Sequence, residues 1–202
     1  MTTDQKLKPL VFVLCLAPFG WLLYRGLAGG LGANPIKAIT HFTGDWTLYF
    51  LLLTLAITPL RRLTRLHALV RFRRMLGLYA FFYACLHFTT YLVLDQFFDW
   101  DEILRDIAKR PYITVGFTAF LLLIPLALTS TRNMVQRLGK RWKQLHSLIY
   151  LLTGLGLLHY LWLVKADIRS PVILILVFIA LLALRLPRIQ GRSKQAFMKT
   201  SS

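Results

Sequence analysis

The sequence predicts an all-α integral membrane protein, a bundle of six helices with both termini on the cytoplasmic side. Three observations predict it. The 202 residues are 56% hydrophobic with a mean hydropathy of +0.57, more than a water-soluble domain carries without aggregating. The apolar residues gather into six stretches, each near the roughly 20 residues a helix needs to cross the hydrocarbon core. The connections between them alternate between strongly basic and charge-balanced.

The spans are expected at 9–24, 46–60, 75–94, 112–129, 145–164 and 171–186. The first follows Lys6 and Lys8 in the manner of a signal peptide, but Leu27-Ala28-Gly29 is a poor cleavage site, so it is read as an uncleaved helix. The second runs from Trp46 to the arginines at 61 and 62, and the third starts beyond Arg74 and ends at Asp95. The fourth lies between Tyr112 and Thr129, the fifth between Leu145 and Val164, and the sixth begins at Pro171. They use most of the chain, which predicts one domain over residues 1–202 and no internal repeat. Cys15 and Cys85 fall inside spans, where a thiol behaves as a small apolar group.

Orientation follows from charge. Lys and Arg near span ends stay on the cytoplasmic side. With the N-terminus inside, the inner segments hold Lys6 and Lys8, six arginines from Arg61 to Arg74, five cations from Arg132 to Lys143, and Arg185, Arg188, Arg192, Lys194 and Lys199, against Asp4 alone. The outer segments balance Arg25, Lys37, Arg105, Lys109, Arg110, Lys165 and Arg169 against Asp45, Asp95, Asp99, Asp101, Glu102, Asp106 and Asp167. The net charge of +17 therefore sits on one membrane face, in contact with anionic lipid. A nucleic-acid partner is not needed to explain it. Trp21, Trp46, Trp100 and Trp162 are expected at the outer interface and Trp142 at the inner one.

The histidines carry the candidate chemistry, since an ionisable group inside a membrane is costly and marks function by default. His87 lies 13 residues past Arg74 and His159 lies 16 past Lys143, roughly 20 and 24 Å along their helices. Both rings are thus expected in the outer half at similar height on facing helices. Paired neutral imidazoles are what a six-coordinate haem b takes as axial ligands. His146, at the inner edge of the fifth span, offers a second haem site. It projects roughly 140° away from His159 around an ideal helix. Gly154 and Gly156 between them remove bulk where a porphyrin approaches. The position on the third helix that matches His146 is Arg74, which suits a haem propionate better than iron. His67, in the inner loop, is the other candidate partner, and His41 is placed in an outer loop. A transporter relaying protons through these histidines is the alternative from another class, and the lack of acidic residues within the spans counts against it.

The run Arg73-Arg74-Met75-Leu76-Gly77-Leu78-Tyr79 with Cys85-Leu86-His87-Phe88-Thr89-Thr90-Tyr91, together with Trp142, Leu145-His146-Ser147-Leu148-Ile149-Tyr150 and His159-Tyr160, resembles the ferric-reductase-like transmembrane family. The likeness is to the haem-binding membrane subunits of periplasmic methionine sulfoxide reductase systems and covers the whole chain. It implies electron transfer from the quinone pool, or from a cytosolic flavin reductase, to a periplasmic molybdenum-cofactor enzyme that repairs oxidised proteins. The site is the bacterial inner membrane. It also implies FMN as a further cofactor and places the family's three ligand histidines on His87, His146 and His159. The larger NADPH-oxidase relatives supply two histidines from the third helix, where this chain has His87 and Arg74. No flavin or nucleotide domain is expected after the sixth span, so electrons come from another polypeptide. A stand-alone ferric reductase, or the cytochrome b subunit of another oxidoreductase, is the redox alternative. The acidic cluster from Asp95 to Asp106 is a candidate docking surface for the periplasmic partner.

Overall fold

The computed structural model describes residues 3–164 and 167–185. Lys165, the end of the last expected span at Leu186, and the basic residues Arg188, Arg192, Lys194 and Lys199 lie outside the described residues. Every regular element among the described residues is helical: α1 (Thr3–Leu27), α2 (Pro35–Thr64), α3 (Val70–Thr90), α4 (Trp100–Lys109), α5 (Pro111–Leu128), α6 (Arg132–Leu138), α7 (Lys140–His146), α8 (Leu148–Leu163) and α9 (Arg169–Ala183), with a 3-10 turn at His67–Leu69 and a π-helical turn at Tyr91–Asp95.

Among the described residues, four segments are long and apolar enough to cross a membrane: Leu7–Leu27, His67–Asp95, Pro111–Leu128 and Lys140–Leu163. Arg169–Ala183 is apolar but shorter. The second expected span lies inside α2, whose 30 residues begin well before Trp46. The reason is local: Asn34 caps the helix by accepting the Lys37 amide at 3.0 Å, and Pro35 occupies the first turn, where its missing N–H costs nothing. A multi-pass helical membrane protein follows.

Two close helix pairs, α2 with α3 and α5 with α8, form the heart of the bundle. Between α1, α2 and α3 the core is aromatic. Phe50 stacks on Tyr83 with ring centroids 5.3 Å apart and on Tyr79 at 5.7 Å. Trp46, expected at the interface, packs into this stack against Phe50 and Tyr83. Tyr83 also mends the adjoining helix. Near Pro18 the Tyr83 hydroxyl accepts the Phe19 amide at 3.0 Å and donates to the Cys15 carbonyl at 3.0 Å, standing in for the helix bond between them.

Two helices, α4 and α6, appear where only connections were expected. Asp99 caps α4 by accepting the Glu102 amide at 3.1 Å, and Thr131 caps α6 by accepting the Met134 amide at 3.3 Å. Both are short and rich in charge, so hydropathy passes over them. Before α4, Phe97 and Phe98 take φ of 46° and 61°, left-handed values that reverse the chain after the π turn. Phe97, Phe98 and Trp100 are exposed there, as aromatic groups are at a membrane interface.

Candidate functional site

A cavity of about 470 Å³ opens between the two helix pairs, beneath α4. Its walls are apolar, with Phe88, Phe117 and Phe120 along one side, and Phe88 and Phe120 stack at 4.7 Å. His87 of α3 and His159 of α8 face each other across it, ring centroids 6.2 Å apart and planes at 80°. The helices predicted to face one another do so across the cavity.

Each ring is held the same way. His87 Nδ1 lies 2.9 Å from the Thr40 carbonyl, and His159 Nδ1 lies 2.7 Å from the Tyr112 carbonyl. A carbonyl only accepts, so both Nδ1 atoms carry the proton and both Nε2 lone pairs stay free. A fixed tautomer with a free Nε2 is the state in which histidine binds a metal.

Each ring also lies against a glycine. A Cβ on Gly44 would come within 3.2 Å of His87 Nδ1 and Cε1; one on Gly116 would come within 2.7 Å of His159 Nδ1. Carbonyl, glycine and histidine therefore recur at one offset of 72 residues, from Thr40, Gly44 and His87 to Tyr112, Gly116 and His159. The expectation of no internal repeat is corrected here. The repeat lives in three positions separated by dissimilar sequence and emerges only when the helices pair.

The spacing fits a metalloporphyrin. Two metal–nitrogen bonds of about 2 Å, plus about 1 Å from each nitrogen to its ring centre, set axial imidazole centroids about 6 Å apart, against 6.2 Å here. The volume lies in the range of cofactor pockets, roughly 300–1,000 Å³.

His146 and Arg74 do not line this cavity. His146 stacks on Trp142 at 4.0 Å, with Nε2 3.0 Å from Thr129 Oγ1. The Thr129 hydroxyl donates to the Pro125 carbonyl at 2.6 Å, so toward His146 it accepts, and Nε2 is the protonated nitrogen. Trp142 closes the unit by donating Nε1–H to the Thr129 carbonyl at 3.0 Å. Arg74 is exposed, and the arginine beside His146 is Arg73. His67 is exposed in its 3-10 turn. His41 and Asp45, expected outside the membrane, lie on α2 and line the cavity, where Asp45 faces His41 and Tyr160.

The acidic cluster is divided. Asp106 is buried, taking bonds from Tyr91 Oη at 3.3 Å and Gln96 Nε2 at 3.2 Å and pairing with Arg110 Nε at 3.0 Å. This network ties α4 to the end of α3, with Ile103, Leu104 and Ile107 turned onto the cavity. Asp95, Asp99, Asp101 and Glu102 are exposed or partly so.

Two facing histidines with matched backbone anchors, in an apolar cavity of a multi-pass helical bundle, define the class of membrane proteins that hold a metalloporphyrin between their helices. The model of the family described as ferric reductase like transmembrane component matches residues 43–157, which include Gly44, His87, Gly116 and His146 and stop short of His159. Relatives named protein-methionine-sulfoxide reductase heme-binding subunit MsrQ agree. One from Herminiimonas arsenicoxydans is 58% identical over 89% of this chain and 84% of its own length. One from Polaromonas naphthalenivorans is 56% identical over 77% and 72%, and one from Rhodospirillum rubrum is 55% identical over 94% and 92%. The chain belongs to the MsrQ family, within the ferric-reductase-like transmembrane proteins.

Proposed function

We propose that this chain is the haem b subunit of a periplasmic methionine sulfoxide reductase system, carrying electrons across the bacterial inner membrane. The paired anchoring of His87 and His159 is the observation that carries this reading. Haem b, when bound, supplies a one-electron iron couple. The chain's own part is to present two Nε2 atoms from opposite walls, to keep water out with Phe88, Phe117 and Phe120, and to hold both tautomers through Thr40 and Tyr112. The Nδ1–H bonds to carbonyls raise the donor strength of each imidazole.

In this reading six helices span the membrane, with α2 and α9 added to the four longer apolar segments, and both termini face the cytoplasm as the arginine-rich connections require. Electrons enter from quinol or a cytosolic flavin reductase, with FMN as a family cofactor, and leave to a periplasmic molybdenum-cofactor enzyme. One haem at His87 and His159 suits the cavity best. A second, at His146, requires that residue to use Nδ1 or leave Thr129, with Arg74 toward the propionates. The deciding experiment is a reduced-minus-oxidised spectrum of the purified chain with haem and iron quantified per polypeptide. A colourless, iron-free protein from haem-replete cells would overturn the reading and favour the transporter alternative.

A further inference from the structure

The inner end of the bundle gathers positive charge where the described side chains supply no counter-charge. Arg73 on α3, His146 at the end of α7, Tyr150 on α8 and Arg185 just past α9 meet there, and Arg73 lies within electrostatic reach of the other three. The Arg185 guanidinium crosses the end of the bundle, donating from Nη1 to the Tyr150 hydroxyl and from Nη2 to the Leu55 carbonyl, with its carbon 5.3 Å from the Tyr150 ring centroid. Its Nε–H is buried without a partner among the described residues. Among the described residues, no carboxylate is among the groups acting on Arg73 or His146.

Arginine does not escape such a site by losing its proton, so two guanidiniums in mutual repulsion raise the energy of the bundle end until an anion joins them. Their planar forks match phosphate oxygens. Arg73 stands 14 residues before His87 on the same helix run, roughly 21 Å along the axis from that ring, and neither Arg73 nor Arg185 lines the cavity. The two sites are separate, and this one does not depend on what the cavity holds.

We propose that Arg73 and Arg185 form an anion site at the inner end of the bundle that takes a phosphate group, from the headgroup of an anionic phospholipid or from a free phosphate compound. Tyr150 orients Arg185, and the Trp142–His146 stack borders the cations.

The test uses the purified full chain in detergent. Native mass spectrometry counts phosphatidylglycerol retained against phosphatidylcholine, and thermal unfolding is followed with inorganic pyrophosphate at constant ionic strength. Selective phosphatidylglycerol retention identifies a lipid headgroup, and stabilisation by pyrophosphate identifies a free phosphate; either supports the site. Arg73→Gln should weaken the positive arm roughly tenfold, the value of a charge-assisted hydrogen bond, with the haem-to-protein ratio unchanged. Arg185→Gln should do the same. Because Arg185 also ties Tyr150 to Leu55, Arg73→Gln, which removes none of those bonds, decides the matter if the other variant fails to fold. No response in either arm, or wild-type binding by Arg73→Gln, overturns the proposal. So does haem loss from Arg73→Gln, which would assign the cations to porphyrin carboxylates.

Discussion

The imidazole of His159 lies so close to the backbone of Gly116 that a Cβ there would fall 2.7 Å from Nδ1, 2.9 Å from Cε1 and 3.0 Å from Cγ. Real Cβ atoms do not approach this far, and the atoms met belong to the near side of the ring, which cannot swing away while Nδ1 stays on the Tyr112 carbonyl. Gly116→Ala should therefore expel His159 from its anchor, with haem content falling severalfold or its midpoint potential moving. Gly44→Ala, whose Cβ would meet His87 at 3.2 Å, should do the same more mildly. Visible spectra and redox titration of the two variants check the order. A wild-type spectrum and potential in Gly116→Ala would show that the close approach has no bearing on the site.

His87→Ala and His159→Ala should each abolish haem binding, since one remaining axial imidazole holds the cofactor weakly in an apolar cleft. Neither side chain belongs to the packed aromatic core, so helical content should persist. Circular dichroism beside the difference spectrum separates ligand loss from unfolding, and full haem content in either variant would remove that histidine from the ligand set.

That His87 and His159 face each other is legible because depth and helix direction can be counted along a sequence. Their supports are not. The Thr40 and Tyr112 carbonyls lie 47 residues from the rings they hold, and backbone acceptors leave no mark on residue identity. Gly44 and Gly116 carry no sequence signal of their closeness to the rings, and of the two glycines expected to give a porphyrin room, Gly156 lines the cavity against Leu48 whereas Gly154 faces Phe178 outside it. Counting back from His87 leads to Arg74, while Arg73 is the arginine beside His146, because such counting fixes height but not which neighbour a side chain faces. His41 and Asp45 read as part of a connection because hydropathy dips at Asp45, yet both lie on α2, whose start is set by the Asn34 cap eleven residues before Asp45.

For His146, the Trp142–Thr129 unit predicts that His146→Ala leaves haem per chain unchanged while stability against thermal unfolding falls, by about 1 kcal/mol for the lost hydrogen bond and more for the lost stack. Arg74→Ala, at an exposed position, should leave both quantities as they are. If His146→Ala instead halves the haem per chain, a second haem is ligated there and the single-site reading fails.

Asp106→Ala should loosen α4, because Tyr91 and Gln96 lose the acceptor that joins them to it. The destabilisation is about 1–2 kcal/mol, the half-exposed Arg110 adding little through solvent screening. Hydrogen exchange should quicken across residues 100–109 first, and the haem should become more accessible to water-soluble reductants. Unchanged exchange in this segment would mean that α4 is held by its apolar face alone.

The buried, paired state of Asp106 narrows the docking surface and with it the test of direction. Of the acidic cluster, Asp95 lines the cavity, Asp99 caps α4 and Asp106 is internal, so Asp101 and Glu102, exposed or partly so in the first turn of α4, are the residues to reverse. Glu102 pairs with the exposed Arg105 at 3.4 Å, a surface pair of little energetic weight. If electrons leave on this side to a partner guided by charge, Asp101→Lys with Glu102→Lys should slow reduction of the periplasmic enzyme in reconstituted vesicles. The slowing should be largest at low ionic strength, where screening is weakest, and should fade toward 1 M salt, where the Debye length is about 3 Å. The haem spectrum should not change, because neither side chain lines the cavity. Equal rates at low salt would take the outer acidic face out of partner recognition, and electron delivery only to an acceptor on the arginine-rich side would reverse the assigned direction of transfer.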